Sequence, residues 1–298
     1  MTDLTQTTPT AQLPAGASRR GHRIRALLRS RSGLIGLIIV VVLAVLSLMS
    51  FLGLTPHDPI AQNPPSRLLA PSGEHWFGTD QFGRDIFSRV AAGVANSALI
   101  ALVAVAFATV VGTLGGLVAG FYRGFSDGAI GAITNVLFAF PPLLLALSLA
   151  SVFTRNWFTI AVAIAIVYVP IFIRVVRGPV LTLREIEYVK AATSTGQRRV
   201  AIMLRHVLPN ITSIIIVQIT LSLSWAVLTE ASLSFLGLGA PPPAPSLGSM
   251  IFEARTLVTV APWTMLAPGI VVVLLVVGLN LLGDGLRDVF DPRGNRKR

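Results

Sequence analysis

Six long stretches without a charged side chain dominate this sequence of 298 residues. A helix needs about 20 residues to cross the hydrocarbon core of a bilayer, because each residue adds about 1.5 Å and the core is about 30 Å thick. The stretches that reach or approach this length are 33–54, 94–121, 128–154, 156–173, 210–229 and 256–283. The sequence therefore predicts an all-α, polytopic membrane protein with six transmembrane helices.

The composition agrees with a membrane protein and argues against several other classes. Hydrophobic residues make up 53% of the chain, charged residues only 12%, and the mean hydropathy is +0.74. Cysteine is absent and the four histidines, at positions 22, 57, 75 and 206, are widely spaced, so we expect no metal site. The net charge of +11 could suggest nucleic acid, but the arginines lie in short segments between apolar stretches, as in membrane proteins. We expect no catalytic residue and no nucleic-acid partner.

The basic residues also predict the orientation of the chain. All but five of the 24 lysines and arginines fall on the side of the membrane that carries both termini. The five exceptions are Arg67, Arg84, Arg89, Arg155 and Arg255. The positive-inside rule therefore predicts that both termini lie in the cytoplasm.

The same pattern divides the chain into three parts. We predict a cytoplasmic tail at 1–32, partly disordered, a six-helix transmembrane domain at 33–290, and a basic cytoplasmic tail at 291–298. Three long connections belong to the domain: external loops at 55–93 and 238–255, and a cytoplasmic loop at 174–209.

The cytoplasmic loop is the most informative part of the sequence. A helix is predicted from Thr182, a candidate cap with Glu185 three residues later, to Gly196, a candidate stop. A second helix at 197–208 would lead into the fifth span. Small side chains at Ala191 and Ala192 leave the backbone approachable, which favours a short helix that fits a groove on another protein.

These residues resemble the EAA loop of ABC importer permeases, which docks into a cleft on the ATPase subunit. The positions that carry the resemblance are Tyr188, Lys190, Ala191, Ala192, Gly196, Leu208 and Pro209. Two residues depart from the family pattern: Lys190 stands where a glutamate is usual, and His206 stands where an isoleucine is usual. The alternative is an ordinary amphipathic helix on the membrane surface.

Three further motifs are similar to the C-type permeases of dipeptide and oligopeptide importers. They are HWFGTDQFGRDIFSR at 75–89, EASLSFLGLG at 230–239 and GLNLLGDGLRDVFDP at 278–292. Ser246-Leu247 departs from the Glu-Trp that is common in dipeptide permeases.

The resemblance implies an importer in the bacterial cytoplasmic membrane. Its parts would be this chain, a homologous B-type permease, two cytoplasmic ATPase subunits and an external substrate-binding protein. No GxxxxGK[ST] motif is found, so the chain itself would hold no cofactor and ATP-Mg would be bound by the ATPase subunits. The expected substrate is a dipeptide or oligopeptide. The alternatives are nickel, glutathione or another small solute, or a proton-coupled carrier, which would need buried titratable relays.

Other residues have predicted roles outside the cytoplasmic loop. Turn formation, a local ion pair and the surface for the binding protein are assigned to Gly78, Thr79, Asp80, Gly83, Arg84 and Asp85. The pathway or its gate is assigned to Glu230, Ser232, Ser234 and Phe235, because a charge facing lipid at Glu230 would be costly. Close helix packing is assigned to Gly112, Gly116 and Gly120, and a helix kink to Pro141 and Pro142.

Overall fold

The computed structural model describes Leu28 and residues 30–290, so the predicted tails 1–32 and 291–298 lie almost entirely outside the described residues. Within that part the helices are α1 (Arg31–Phe51), α2 (Ile86–Tyr122), α3 (Gly124–Phe138), α4 (Pro142–Val152), α5 (Trp157–Leu183), α6 (Glu187–Ser194), α7 (Arg199–Phe235), α8 (Leu247–Ala254) and α9 (Trp263–Phe290). A short 3-10 turn occupies Pro64–Ser66. Leu28 and residues 30–290 form no β-strand. The predicted all-α fold is confirmed.

Five helices are long and apolar enough to cross a membrane, namely α1, α2, α5, α7 and α9. The pair α3 and α4 passes the same test together, but its two halves are bent by 93°. The break falls at Pro141, whose backbone is extended, and Pro142 then begins α4. Because proline has no backbone N–H and restricts the residue before it, the predicted kink is a complete interruption of the helix. The part of the chain that the structure describes has up to six candidate spans if the bent pair counts as one.

Helix α2 begins eight residues earlier than the hydropathy pattern suggests. The Asp85 side chain caps it by accepting a hydrogen bond of 2.8 Å from the Ser88 N–H. The predicted uncharged stretch started only after Arg89, but this arginine lies inside the first turns of α2 and is 2% exposed. The end of the predicted external loop 55–93 is therefore helical. The other predicted external loop, 238–255, contains α8, which is capped by Ser246.

The predicted cytoplasmic loop 174–209 is shorter in the structure. Helix α5 continues to Leu183, so Thr182 lies in its last turn and the prediction that Thr182 caps the next helix is wrong. The short helix α6 covers only Glu187–Ser194. The predicted helix at 197–208 is the beginning of α7, joined to the fifth span by a π-helical turn at Met203–Val207. This wider turn precedes Pro209, which cannot donate the backbone hydrogen bond of a regular α-helix.

Helices α2 and α5 are packed together along a row of glycines. A Cβ atom added to Gly116 would lie 2.7 Å from the Val176 Cβ, and one added to Gly120 would lie 2.8 Å from the Val180 Cβ. Gly112 lies in the same way against Phe172. Close packing of this kind holds helices together in lipid, where apolar burial gives little drive for association.

Helix α1 lies at the edge of the bundle and touches α9. Gly36 of α1 and Gly278 of α9 face each other, and a Cβ on Gly278 would lie 2.7 Å from the Ile39 Cγ2. The remaining surface of α1 consists of exposed apolar side chains such as Leu34, Ile38 and Val42. This is the surface expected of a helix that faces lipid acyl chains.

The glycine row predicts that a Gly→Ala substitution lowers the stability of the protein inside the α2–α5 contact but not at a glycine outside it. Gly116→Ala places a methyl group 2.8 Å from the Ile173 carbonyl oxygen, which cannot move without shifting α5, so the protein should lose about 1–3 kcal/mol of unfolding free energy. Gly131→Ala on α3 is the matched control, since nothing lies within 4 Å of the added atom. Unfolding in detergent should show a loss only for the Gly116 variant. Equal stability of the two variants would contradict this packing.

Candidate functional site

The salt bridges among the described residues lie at the two ends of the bundle. We call the loop face the end formed by residues 52–85 together with α8, and the α6 face the opposite end, formed by residues 184–198. Helix α2 begins at the loop face, and helix α5 ends at the α6 face. Each end therefore has to be considered separately.

Four charged side chains form a cluster at the loop face. Arg84 donates from Nε to Asp80 Oδ2 over 2.6 Å and from its terminal nitrogen to Glu253 Oε2 over 2.5 Å. Arg89 lies 3.3 Å from the same Glu253 oxygen and 3.5 Å from Asp80 Oδ2. The two arginines are almost fully buried, and two carboxylates offset their charge. The cluster ties the α1–α2 loop and the start of α2 to α8 across a long separation in sequence.

Two glycines fix the loop around this cluster. Gly78 and Gly83 have positive φ angles of 76° and 72°. A side chain at Gly83 would overlap the Asn63 carbonyl group, and one at Gly78 would lie 2.8 Å from the Trp263 ring. Glycine is required at these two positions by both the backbone conformation and the space available.

The six residues assigned to a binding-protein surface are all buried within this chain. Thr79, Asp80, Arg84 and Asp85 are between 0% and 8% exposed. Thr79 donates its hydroxyl hydrogen to the Ser66 carbonyl oxygen, and Asp80 accepts hydrogen bonds from the backbone of its own turn. These residues hold the loop in shape, while its exposed surface is formed by other residues, such as Trp76.

Two histidines that are distant in sequence meet at the loop face. The rings of His57 and His75 are 4.6 Å apart, and His75 Nδ1 lies 2.9 Å from Asp85 Oδ1. The prediction that the histidines form no ligand cluster is therefore wrong for this pair, because the loop folds back on itself. His206 lies at the α6 face, and His22 lies outside the described residues.

Glu230 is fully buried near the loop-face end of α7. Its Oε1 atom accepts a hydrogen bond of 2.7 Å from Ser234, which is 2% exposed. The α8 backbone at Gly248 lies directly against Ala231 and Ser234. The other two residues assigned to the pathway or gate are more accessible: Ser232 is half-buried, and Phe235 is 39% exposed. Glu230 thus lies inside the helix packing and does not line an open surface in this conformation.

An open polar cleft of about 510 Å³ lies between α3 and α5, toward the α6 face. Asp127 and Arg177 form a two-armed ion pair in it, with N–O distances of 2.5 and 2.7 Å. Thr134 and Asn135 of α3 add uncharged polar groups. Sequence reasoning did not assign these residues to a site, because the two ionised groups are 50 positions apart.

Helix α6 has one buried side and one exposed side. Val189 and Ala192 are buried against the bundle, whereas Tyr188, Lys190 and Ala191 are exposed. The helix ends before Gly196, whose φ of +77° turns the chain in open space toward α7. Leu208 and Pro209 lie within the following helix, with Leu208 half-buried and Pro209 exposed. The Tyr188 hydroxyl accepts a hydrogen bond of 3.2 Å from Asn210, which holds α6 beside α7.

Lys190, which stands where the family has a glutamate, pairs within this chain. Its Nζ atom lies 3.2 Å from Glu185 Oε2. The hydrogen bond and charge of Lys190 lower the pKa of Glu185 below its ordinary value, with smaller contributions from two nearby arginines. Both side chains are exposed, so the pair contributes little to stability. It does orient the connection between α5 and α6.

Comparisons with known proteins, each covering part of the chain, give a consistent result. Residues 112–296 match the family described as binding-protein-dependent transport system inner membrane component. The chain is 46% identical over 231 residues to the dipeptide transport system permease protein of Alkalihalophilus pseudofirmus, which covers 78% of this chain and 76% of that protein. It is 43% identical over 223 residues to the glutathione transport system permease protein of Pectobacterium atrosepticum, covering 75% and 74%. It is 40% identical over 245 residues to the probable D,D-dipeptide transport system permease protein of Escherichia coli strain K12, covering 82% of each.

A solved structure shares the fold. The permease fold of the MetNI methionine ABC transporter, in an inward-facing conformation, superimposes with a TM-score of 0.56 at 19% sequence identity. The match covers 68% of this chain and 97% of the other. At this identity the likeness is one of fold.

The charged cluster predicts that Glu253 supports the loop face. Glu253→Gln removes a negative charge that faces both Arg84 and Arg89, so the protein should lose about 1–3 kcal/mol of unfolding free energy. Glu74→Gln is the control, because it also removes one negative charge from the loop face but at an exposed position of the α1–α2 loop. Thermal unfolding and limited proteolysis of the loop in detergent would measure both variants. Indistinguishable unfolding and cleavage of the two would show that the cluster does not hold the loop.

Proposed function

The chain belongs to the family of binding-protein-dependent transport system inner membrane components, the permease subunits of ABC importers, and we propose that the solute it carries is a short peptide. It is a multi-pass membrane protein and a transport component rather than an enzyme. Relatives named for dipeptide transport match the chain at 46% and 40% identity. A second solute, glutathione, is favoured by the 43% identical relative named for glutathione transport.

The observation that carries the coupling role is the two-sided character of α6. One side packs on the bundle through Val189 and Ala192, and the other offers Tyr188, Lys190 and Ala191. A surface of one aromatic ring, one ammonium group and a small residue suits a shallow groove on another protein. We assign that groove to a separate ATPase subunit, which would bind ATP-Mg, since this chain has no phosphate-binding motif.

The distribution of charge supports a cytoplasmic position for the α6 face. The basic residues at or near this face are Arg123, Arg174, Arg177, Arg184, Lys190, Arg198, Arg199 and Arg205. The segments on the loop-face side carry only five basic residues, Arg67, Arg84, Arg89, Arg155 and Arg255. By the positive-inside rule we assign the α6 face and both termini to the cytoplasm and the loop face to the outside.

The helices on either side of α6 provide a mechanical connection to the outer end. Helix α7 is continuous from Arg199 to Phe235 apart from its π-helical turn at Met203–Val207, and it reaches the packed region around Glu230. ATP-driven closure of the ATPase subunits would displace α6. Helix α7 would then move as a rigid body, and the packing of α7 on α8 would change. Alternating access follows if the outward-facing and inward-facing packings differ in their contacts with solute and binding protein.

The solute pathway in this proposal lies where this chain meets a homologous permease subunit. The cleft of about 510 Å³ between α3 and α5 supplies a polar wall, with Asp127, Asn135 and Arg177 able to contact the termini of a peptide. The loop face, stiffened by its charged cluster, would receive the external substrate-binding protein.

Replacement of Gly196 tests the coupling role. Gly196→Val forces a β-branched side chain into a φ of +77°, so we expect the turn after α6 to rearrange and uptake of a labelled dipeptide by proteoliposomes of the full importer to fall at least about ten-fold. Gly53→Val, at a φ of +67° in open space at the opposite end, is the matched control and should keep uptake near the wild-type level.

Three measurements on the same proteoliposomes make the outcome specific. ATP hydrolysis should lose its stimulation by binding protein in the Gly196 variant, while membrane insertion and complex assembly remain intact. Competition of dipeptide uptake by glutathione or nickel identifies the solute class. Normal uptake and normal ATPase stimulation in a correctly assembled Gly196→Val importer would refute the docking role.

A further inference from the structure

Two histidines at the loop face, His57 and His75, have no role in the charged cluster or in the proposed transport cycle. One potential ligand atom from each of His57, His75 and Asp85 can be chosen so that all three lie within 4.8 Å of one another. His75 and Asp85 are buried, and His57 is half-buried. Three side chains from separate parts of the loop and the α2 cap therefore converge on one point.

His57 is arranged as metal-binding histidines usually are, with one ring nitrogen held by an oxygen. Its Nε2 donates to the Glu74 carbonyl oxygen over 3.1 Å, so in the neutral imidazole Nδ1 carries the lone pair that a metal needs. A partner oxygen of this kind fixes the tautomer and the ring orientation of a ligand and raises its basicity. His75 Nδ1 and Asp85 Oδ1 lie 2.9 Å apart and share a proton, which an ion bound between them would displace.

The carboxylate is positioned independently of the histidines. Asp85 Oδ2 accepts the Ser88 N–H bond that caps α2, so the other oxygen, Oδ1, is directed toward His75. Loss of the proton shared with His75 leaves a lone pair on Oδ1 and one on His75 Nδ1, and both point toward the same cation. The His57 backbone N–H donates to the Ser88 hydroxyl over 3.3 Å, which holds the beginning of the loop against the same turn.

We propose that His57, His75 and Asp85 form a binding site for a divalent transition-metal ion of the zinc class, which cross-links the α1–α2 loop to the start of α2. Two imidazoles and one carboxylate are ligands that zinc, nickel and cobalt accept, whereas magnesium and calcium prefer oxygen ligands. Ligand atoms on one tetrahedral zinc lie about 3.3 Å apart, as follows from bonds of about 2.0–2.1 Å. Side-chain rotations that shorten the longest separation, at most 4.8 Å, by about 1.5 Å would bring the three groups to that spacing.

The ion would be a resident of the loop and not the transported solute. It would join three parts of the loop face: His57 at the beginning of the α1–α2 loop, His75 in its middle and Asp85 at the α2 cap. This is the face to which we assign the binding protein. The proposal concerns metal binding by this chain alone and does not depend on which solute the importer carries.

Zinc binding to the full importer complex, purified without the binding protein and stripped with EDTA, tests the site. Wild-type complex should bind one more zinc ion per copy of this chain than the His57→Gln complex, measured by elemental analysis after gel filtration. Asp85→Asn is the second variant, because asparagine still caps a helix while the charge is lost. Both variants should weaken zinc binding at least about ten-fold, the lower end of the loss expected when even an outer-sphere partner is removed.

His206→Gln is the matched control, since it removes a histidine at the α6 face. It should bind zinc as the wild type does, and zinc should raise the thermal unfolding temperature of the wild type and of this control only. Cobalt should give visible d–d absorption in the same two proteins, and millimolar magnesium should not compete. Equal zinc stoichiometry and affinity in wild-type, His57→Gln and Asp85→Asn complexes, or no zinc bound by the wild type at micromolar concentration, would overturn the proposal.

Discussion

The close contact between α2 and α5 connects the two ends of the molecule. Lipid tails are as apolar as the side chains, so moving a side chain from lipid into a helix contact gains little free energy. Helices in a membrane therefore associate through close packing of their backbones. Gly116 and Gly120 provide this approach against Val176 and Val180. Helix α2 starts in the charged cluster of the loop face, and α5 ends at the connection to α6. The glycine contact therefore sets the position of one polar end relative to the other.

The polar ends are built on different principles, in keeping with different tasks. At the loop face Arg84 and Arg89 are buried and paired with carboxylates, an arrangement that is rigid and strongly destabilised if one partner is lost. At the α6 face Lys190 and Glu185 form an exposed pair that is weak and easily rearranged. In the proposed orientation, the loop face would be a fixed outer scaffold for the binding protein, and the α6 face would be an adaptable inner surface for the ATPase subunit.

Hydropathy and local motifs were sufficient for some parts of the structure. The uncharged stretches identified the spans, because every backbone polar group in lipid must be satisfied within a helix. The pattern around Ala191, Ala192 and Gly196 identified a short helix followed by a turn, and the structure has a helix at Glu187–Ser194 and a positive φ at Gly196. Both inferences depend on residues that are close in sequence.

The features that sequence reasoning missed depend on residues far apart in the chain. Arg89 was read as the end of a loop because its partner Glu253 lies 164 positions away, and without that partner an arginine in a span is unfavourable. His57 and His75 looked isolated until the loop brought their rings to 4.6 Å. The proline pair predicted a kink in span three, but the local sequence did not specify a bend of 93° between its two halves.

The central claim is that α6 binds in a groove of a separate ATPase subunit. Because this chain has no cysteine, a single introduced cysteine can be labelled at a chosen position to test the claim directly. Single cysteines at Ala191 on α6 and at Ala61 on the loop face, both exposed, can be labelled with a photoactivatable benzophenone in the assembled importer. The account predicts a crosslink from position 191 to the ATPase subunit and none from position 61. A complex that remains active and assembled but gives no ATPase crosslink from position 191 would contradict it.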